Sequence, residues 1–178
     1  MKHTPLFIRI AGGALLAAML LVSCLQPMLT RGESAALAAL SHRGKPYVFG
    51  TRGPESYDCS GLVLDVCAPF GVDLIHSAQF IAYDDQYQTI EAPADLIPGD
   101  LVFFDTVADR DQCDHVGVWL GLNRFVHASS SEKRVMISSF DADWRARYSW
   151  SKRVLPADPL SSLRLLLNAI EYAPASKA

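Results

Sequence analysis

The segment that begins at Cys59 places the strongest constraint on how this chain folds. From Cys59 onward, apolar residues recur at spacings of three and four, which is typical of an α-helix with one buried face. Gly, Pro and Ser crowd the stretch 50–57 before it, while Pro69 and Gly71 close it. The pattern therefore predicts that Cys59 lies at or just before a helix N-terminus. The residues of the stripe are Cys59, Leu62, Val63, Val66, Cys67 and Phe70.

The rest of the chain predicts helices first and an antiparallel sheet afterwards. An Ala- and Leu-rich stretch, 33–42, is closed by Gly44, and a second short helix follows Ser77. Compact or alternating apolar runs predict the strands. This order indicates an α+β domain over 33–155, in which the helix carrying Cys59 packs on the sheet. The predicted strands are 101–104, 115–120, 124–129 and 134–138.

Composition excludes several classes of function. The 178 residues are 50% hydrophobic and 20% charged, with a formal net charge of -3, as in an ordinary globular domain. No block of lysines and arginines is present in the sequence, so we expect no nucleic-acid partner. The oligomeric state is left open by the sequence, and a monomer is expected.

The first residues are typical of an export signal. Lys2 and Arg9 precede an uncharged apolar run, 10–22, which is too short to span a bilayer comfortably. The run ends in Leu-Val-Ser-Cys at 21–24 and resembles the lipobox of bacterial lipoproteins, whose cysteine is acylated and becomes the mature N-terminus. The alternatives are an ordinary signal cleaved elsewhere and an uncleaved anchor.

On the lipobox interpretation, 1–23 is a signal peptide and 24–32 is a tether. Acyl chains such as palmitate on Cys24 would hold the protein at a membrane without a transmembrane helix. In a cell with an outer membrane, Leu25 is compatible with sorting there, because aspartate at that position is the commonest signal for retention at the inner membrane. The expected location is therefore the cell envelope, on an outer membrane and facing the periplasm.

Lipidation of Cys24 would leave an odd set of thiols. Cys59, Cys67 and Cys113 cannot all pair within a monomer, so at least one is expected to stay free. Cys67 lies on the buried face of the predicted helix, which favours a packing role, with a Cys67 to Cys113 disulfide as the alternative.

Cys59 has the position expected of a nucleophile. A helix N-terminus lowers the pKa of a thiol because unpaired N–H groups stabilise the thiolate, and a neighbouring imidazole would lower the pKa further. Of the five histidines, His115 and His127 lie on predicted strands of one hairpin. They are equidistant from Gly121, so a hairpin centred there makes them direct cross-strand partners whose rings could hydrogen-bond.

The turn of this hairpin decides whether the histidines meet. A two-residue turn at Leu122-Asn123 without a bulge would place His115 and His127 on opposite faces. Asp114 is the rival orienting residue, but adjacent strand residues point to opposite faces, so its carboxylate is not expected to reach the imidazole of His115.

Several motifs in order resemble the NlpC-type family of bacterial cell-wall peptidases, which are papain-like cysteine hydrolases. The resemblance runs from about Ala36 to Leu155. It rests on GKPYVFG before the nucleophile, YDCSGLV around Cys59, PGDLVFF from Pro98, DHVGVWLG at His115 and RFVHASS at His127.

The resemblance implies a papain-like fold and a role for each matching residue. Cys59 would be the nucleophile, His115 the general base and His127 the residue that orients it. Tyr47 would be an active-site hydroxyl that meets the oxyanion together with the N–H of Cys59. Asp58 and Ser60 flank the nucleophile and are interpreted mainly as shaping its turn and helix start.

The reaction that the resemblance implies is hydrolysis of a peptide bond in the peptidoglycan stem, between γ-D-glutamate and the diamino acid, through an acyl-enzyme and without a cofactor or metal. Two departures from the family pattern lie where substrate contacts are expected. Many relatives carry arginine where this chain has His76, and a double glycine where it has Gly50-Thr51. The acidic loop 108–114 also lies near the predicted site.

Two other functions remain open at this point. Cys59, Cys113, His115 and His127 could in number bind a tetrahedral zinc, although close cysteine pairs such as C-x2-C are missing from the sequence. The other alternative is a catalytically silent peptidoglycan-binding module on the same fold.

The segment 156–178 extends beyond the resemblance. Asp158 is a candidate N-cap, Pro159 follows it in the first turn, and apolar residues recur at helical spacing as far as Tyr172. We expect an amphipathic helix that packs on its own domain or contacts a partner or membrane.

Overall fold

The computed structural model describes residues 29–107 and 113–155. The predicted signal peptide and most of the tether, part of the acidic loop, and the predicted tail helix therefore lie outside the described residues. None of the helices within those two ranges is long and apolar enough to cross a membrane.

The helices are α1 (Arg31–Ser41), α2 (Cys59–Cys67), α3 (Ala78–Ala82) and α4 (Ala142–Arg147), with short 3-10 turns at Ala68–Phe70 and Pro93–Asp95. The strands are β1 (Gln88–Ile90), β2 (Leu101–Phe104), β3 (His115–Gly121), β4 (Arg124–Ser129), β5 (Arg134–Ser139) and β6 (Tyr148–Arg153).

These strands form one antiparallel sheet in the order β1-β6-β2-β3-β4-β5. The predicted α+β class is confirmed, and the predicted strands agree with β2 to β5 to within one residue. Strands β1 and β6 and helix α4 were not predicted from the sequence.

Both longer helices begin at side-chain caps. Thr30 accepts from Glu33 N–H while the Glu33 carboxylate accepts from Thr30 N–H, which forms a complete capping box at α1. Asp58 caps α2 by accepting from the N–H of Gly61. Cys59 is therefore the first residue of its helix, as predicted.

The sheet has a different layer on each face. Helices α1 and α2 pack on one face, over buried residues that include Leu101, Val116 and Val126. The other face carries an aromatic cluster, to which α4 adds a partly buried tryptophan. The members of this aromatic cluster are Val102, Phe104, Trp119, Phe125 and Phe140, with Leu96, Trp144 and Tyr148 against them.

Candidate active site

The loop before Cys59 is held in place by the cap of α2. One carboxylate oxygen of Asp58 accepts from Gly50 N–H at 2.8 Å, and the other accepts from Gly61 N–H at 2.6 Å. Asp58 N–H donates to the carbonyl of Thr51 at 2.9 Å. A Cβ on Gly61 would collide with that same carbonyl, so only glycine lets the helix pack this close to the loop. The interpretation of Asp58 as a residue that shapes the helix start is confirmed.

Cys59 opens into a cleft of about 480 Å³. Its side chain is half-buried, and its sulfur lies against the backbone N–H groups of Ser60 and Val116. Val116 follows His115 in β3, so this contact brings the nucleophile candidate to the start of the histidine strand. Tyr47 and Ser60 line the same cleft, as do Asp58, His76 and Asp114.

His115 and His127 hydrogen-bond each other. His115 Nε2 and His127 Nδ1 are 2.7 Å apart, and the two rings meet edge to face at 88°. The side chain of Ser138 continues the contact, because its hydroxyl lies 2.9 Å from His127 Nε2. Both histidines are buried. The predicted contact between them is confirmed.

The predicted direct pairing of the two histidines is wrong. The hairpin turns through two residues, Leu122 and Asn123, at φ 53° and 54°, and a bulge shifts the register between Trp119 and Gly121. Beyond the bulge Val118 pairs with Val126, and this register continued along the strands places His127 opposite Gly117 rather than His115. The histidines are thus diagonal neighbours on one face. The bulge keeps them there, since the two-residue turn alone would have separated them.

Asp114 takes no part in orienting His115. Its carboxylate accepts from the N–H and hydroxyl of Thr106, at 2.8 and 2.9 Å, and from the N–H of Val107 at 3.1 Å. The expectation that it would not reach the imidazole is confirmed, although its charge raises the pKa of His115 slightly against the effect of burial.

Burial keeps the whole group uncharged. Burial raises the pKa of Cys59 to about 11, and the Asp58 carboxylate raises it further, while the adjacent N–H groups lower it. Burial also lowers the pKa of His115 to about 4 and that of His127 to about 3, the latter helped by repulsion from His115. The expectation of a lowered thiol pKa is therefore wrong for the free protein, because desolvation outweighs the helix N-terminus. The resting pair is a thiol and a neutral imidazole.

Tyr47 also stays protonated beside the cleft. Burial raises the pKa of its phenol, and the neighbouring Cys59 and Asp58 raise it further. A phenol that keeps its proton remains a hydrogen-bond donor, as an oxyanion partner has to be.

Three contributors to the site were not predicted as such. His76 was noted only as a departure, yet its Nε2 lies 2.9 Å from Asp58 Oδ1 in the cleft. Ser138 follows from the alternation of its strand once the register is known. Trp144 packs on both imidazoles, with ring centroids 5.9 Å from His115 and 5.1 Å from His127, and its short exposed helix gave no signal in the sequence.

Cys67 and Cys113, the other two cysteines among the described residues, are free thiols. Cys67 is buried, which confirms its packing role, and Cys113 is buried without a disulfide to it. Within 29–107 and 113–155, no three histidine, cysteine or acidic side chains are grouped to hold a metal ion. The four residues considered as zinc ligands are therefore not gathered into one site.

A thiol at a helix N-terminus beside an antiparallel sheet that carries a histidine and its polar partner is the arrangement of papain-like proteins. Residues 44–154 match the NlpC/P60 family, and the chain belongs to that family. The resemblance seen in the motifs is confirmed over 44–154.

Relatives of known or assigned activity support this assignment. A gamma-DL-glutamyl hydrolase of Bacillus subtilis is 38% identical over 115 residues, covering 62% of this chain and 26% of that protein. The murein DD-endopeptidase MepH of Escherichia coli is 33% identical over 118 residues, covering 63% and 42%. The chain thus spans less than half the length of these curated relatives.

Solved structures agree on the fold. NlpC2 from Trichomonas vaginalis superposes with a TM-score of 0.67 at 27% identity, covering 75% of this chain and 49% of that one. A Staphylococcus aureus protein of the NLP/P60 family, described as similar to a lipoprotein, superposes with a TM-score of 0.61 at 31% identity, covering 71% and 42%.

Proposed function

We propose that this protein is a cysteine peptidase that hydrolyses a bond in the stem peptide of peptidoglycan. The observation that carries the proposal is the position of Cys59, at the N-terminus of α2 and against the start of β3, where His115 hydrogen-bonds His127 of β4. The names of the relatives, endopeptidases and a glutamyl hydrolase, support the same class of reaction.

The protonation states suggest the order of events. Since thiol and imidazole both start neutral, His115 acts as a general base and takes the proton of Cys59 as its sulfur attacks the carbonyl carbon. The contact to His127 uses Nε2, which leaves Nδ1 of His115 for the thiol. The C–S bond forms, the carbonyl becomes an oxyanion, and the N–H of Cys59 and the phenol of Tyr47 are its proposed donors.

Collapse of the oxyanion breaks the C–N bond, and the imidazolium of His115 returns the proton to the leaving amine. Water then attacks the thioester with His115 again as base, the C–S bond breaks, and the imidazolium returns the proton to the sulfur of Cys59. No metal or cofactor is required by any of these steps.

The bond between γ-D-glutamate and the diamino acid is the proposed target. Asp58, Ser60 and Tyr47 line the cleft beside the sulfur and are the proposed substrate contacts. Because one relative is named for a γ-DL-glutamyl bond and another for a DD bond, the test has to offer both.

The test is to incubate residues 29–178 with a purified stem tetrapeptide and with a cross-linked muropeptide dimer, and to identify the products by mass spectrometry. Cys59→Ala should abolish cleavage, whereas Cys67→Ala, a matched change of a buried thiol outside the cleft, should leave it within about twofold. Retention of the muropeptides on the immobilised domain without any cleavage would instead support the silent binding module.

We also propose that Cys24 is lipidated and anchors the chain to a membrane, the outer membrane where one exists. The Leu-Val-Ser-Cys sequence at 21–24 supports this, and one structural relative is itself described as similar to a lipoprotein. Expression of the full chain with a radiolabelled fatty acid should label the protein, and Cys24→Ser should abolish the label. Equal labelling of both forms would contradict the proposal.

A further inference from the structure

A row of three polar side chains crosses three adjacent strands. It starts at His115 in β3, passes through His127 in β4 and ends at Ser138 in β5, with contacts of 2.7 and 2.9 Å. In the β4–β5 register His127 is opposite Met136 and Phe125 is opposite Ser138, so Ser138 is again a diagonal neighbour. The same offset is thus repeated at both contacts, and it aligns the three groups on one face of the sheet.

The direction of the hydrogen bonds in this row depends on the charge of His115. When His115 is neutral, the row can run either way, because a hydroxyl both donates and accepts, but only a neutral His115 with its hydrogen on Nε2 has Nδ1 bare to act as the base. When His115 has taken the proton of the thiol, both of its ring nitrogens carry hydrogen. His115 Nε2–H must then donate to His127 Nδ1, which fixes the hydrogen of neutral His127 on Nε2, where only an acceptor can satisfy it.

We propose that Ser138 is a positioning residue of this site, whose hydroxyl accepts the Nε2 hydrogen of His127 while His115 is protonated. The inference rests on the proposed function, because it concerns the step in which His115 holds the proton of Cys59. Ser138 touches neither the sulfur nor the substrate cleft, and it acts through His127 alone.

The surroundings of His127 make an Nε2–H without an acceptor costly in free energy. Trp144 covers both imidazoles, and Phe125 packs on His127 with ring centroids 5.0 Å apart. His127 itself is 2% exposed. The charged groups that face the row are Asp114, beside His115, and Arg147, over the outer face of Trp144. Neither replaces the hydroxyl, because the carboxylate of Asp114 is bound to Thr106 and Val107 and a guanidinium accepts no hydrogen bond.

Three variants separate a positioning role from a structural one. Ser138→Ala removes the acceptor, Ser138→Thr keeps it, and Ser139→Ala is a matched control on the adjacent, exposed position of β5. Loss of one hydrogen bond predicts that Ser138→Ala lowers kcat by about 3- to 10-fold with KM unchanged. Ser138→Thr should recover most of the activity, and Ser139→Ala should match the unsubstituted domain.

The result that overturns the proposal is a kcat for Ser138→Ala within twofold of the unsubstituted domain, or a loss that Ser138→Thr fails to restore. If the unsubstituted domain cleaves nothing, the proposed function has failed, and nitrogen-15 NMR of the imidazoles still tests the contact. The pKa of His115, followed by that NMR, should be lower in Ser138→Ala than in the unsubstituted domain, because protonated His115 then leaves the Nε2 hydrogen of His127 without its acceptor. Equal pKa values in the two proteins would contradict the proposal.

Discussion

The protonation state of Cys59 gives the sharpest test of how the site works. Burial and the Asp58 carboxylate raise the pKa of the thiol to about 11, from an ordinary value of 9.0. At pH 8 an ordinary thiol is about one-tenth ionised, whereas Cys59 should be ionised in about one molecule in 1000. Iodoacetamide reacts with the thiolate, so its reaction with Cys59 should be about 100-fold slower than with an exposed cysteine at that pH.

The assay is the rate of alkylation between pH 6 and 11, read for each cysteine by peptide mass spectrometry. Partial burial of Cys59 slows the reagent at every pH, so the pH at half-maximal rate is the informative quantity. It should lie above pH 10. A rate that has already reached its plateau below pH 8 would refute the reasoning, since it would mean that thiolate and imidazolium form an ion pair in the free protein.

Two further predictions concern stability. The pKa values of His115 and His127 are lowered from 6.5 to about 4 and 3. Below pH 6.5 the unfolded chain therefore binds protons that the folded chain does not. The free energy of unfolding should then fall, as the pH is lowered, by up to about 1.4 kcal/mol per pH unit for each histidine. His127→Asn should roughly halve this slope between pH 6 and 4.5 in urea titrations, and an unchanged slope would contradict the neutral pair. Asp100, 2% exposed, binds Arg153 through two contacts of 2.8 Å, so Asp100→Ala should cost about 1.5–3 kcal/mol, because the partly buried guanidinium would keep only the carbonyl of Asp95 as a partner. In the same assay the exposed control Glu91→Ala should lower the free energy of unfolding by less than about 0.5 kcal/mol. A decrease below about 1 kcal/mol for Asp100→Ala would contradict a stabilising role of the Asp100–Arg153 ion pair.

The sequence predicted the helix at Cys59 well because every signal for it is local. The Asp58 cap and the apolar stripe lie within one short segment, and neither depends on distant residues. Strands β2 to β5 were predicted for the same reason, since each is a compact or alternating apolar run.

The missed elements depend on tertiary contacts. Strand β6 contains Lys152, which is 3% exposed and whose ammonium donates to the carbonyl of Asp84 and the hydroxyl of Thr89. A lysine in that position argues against a buried strand until its acceptors are known. Helix α4 is short and largely polar, and its place is set by the packing of Trp144 on the aromatic cluster.

The thiol pKa was mispredicted because position along the chain does not reveal burial. A helix N-terminus does stabilise the thiolate of Cys59, as its adjacent N–H groups show. The opposing desolvation comes from residues packed around the sulfur after folding, and it is the larger effect.

The observed register of the hairpin also explains how the two histidine rings fit beside each other. Direct partners would have set the two Cβ atoms about 4.5–5.5 Å apart, whereas diagonal neighbours lie about 7–8 Å apart. In the diagonal arrangement His127 faces Gly117, where an added Cβ would lie 3.4 Å from the Cβ of His127 and only 2.7 Å from the Phe125 ring. The missing side chain at Gly117 gives the ring of His127 space, and the edge of His115 Nε2 then meets His127 Nδ1 at 2.7 Å. The bulge between Trp119 and Gly121 thus sets a diagonal arrangement in place of the direct pairing of a symmetric hairpin.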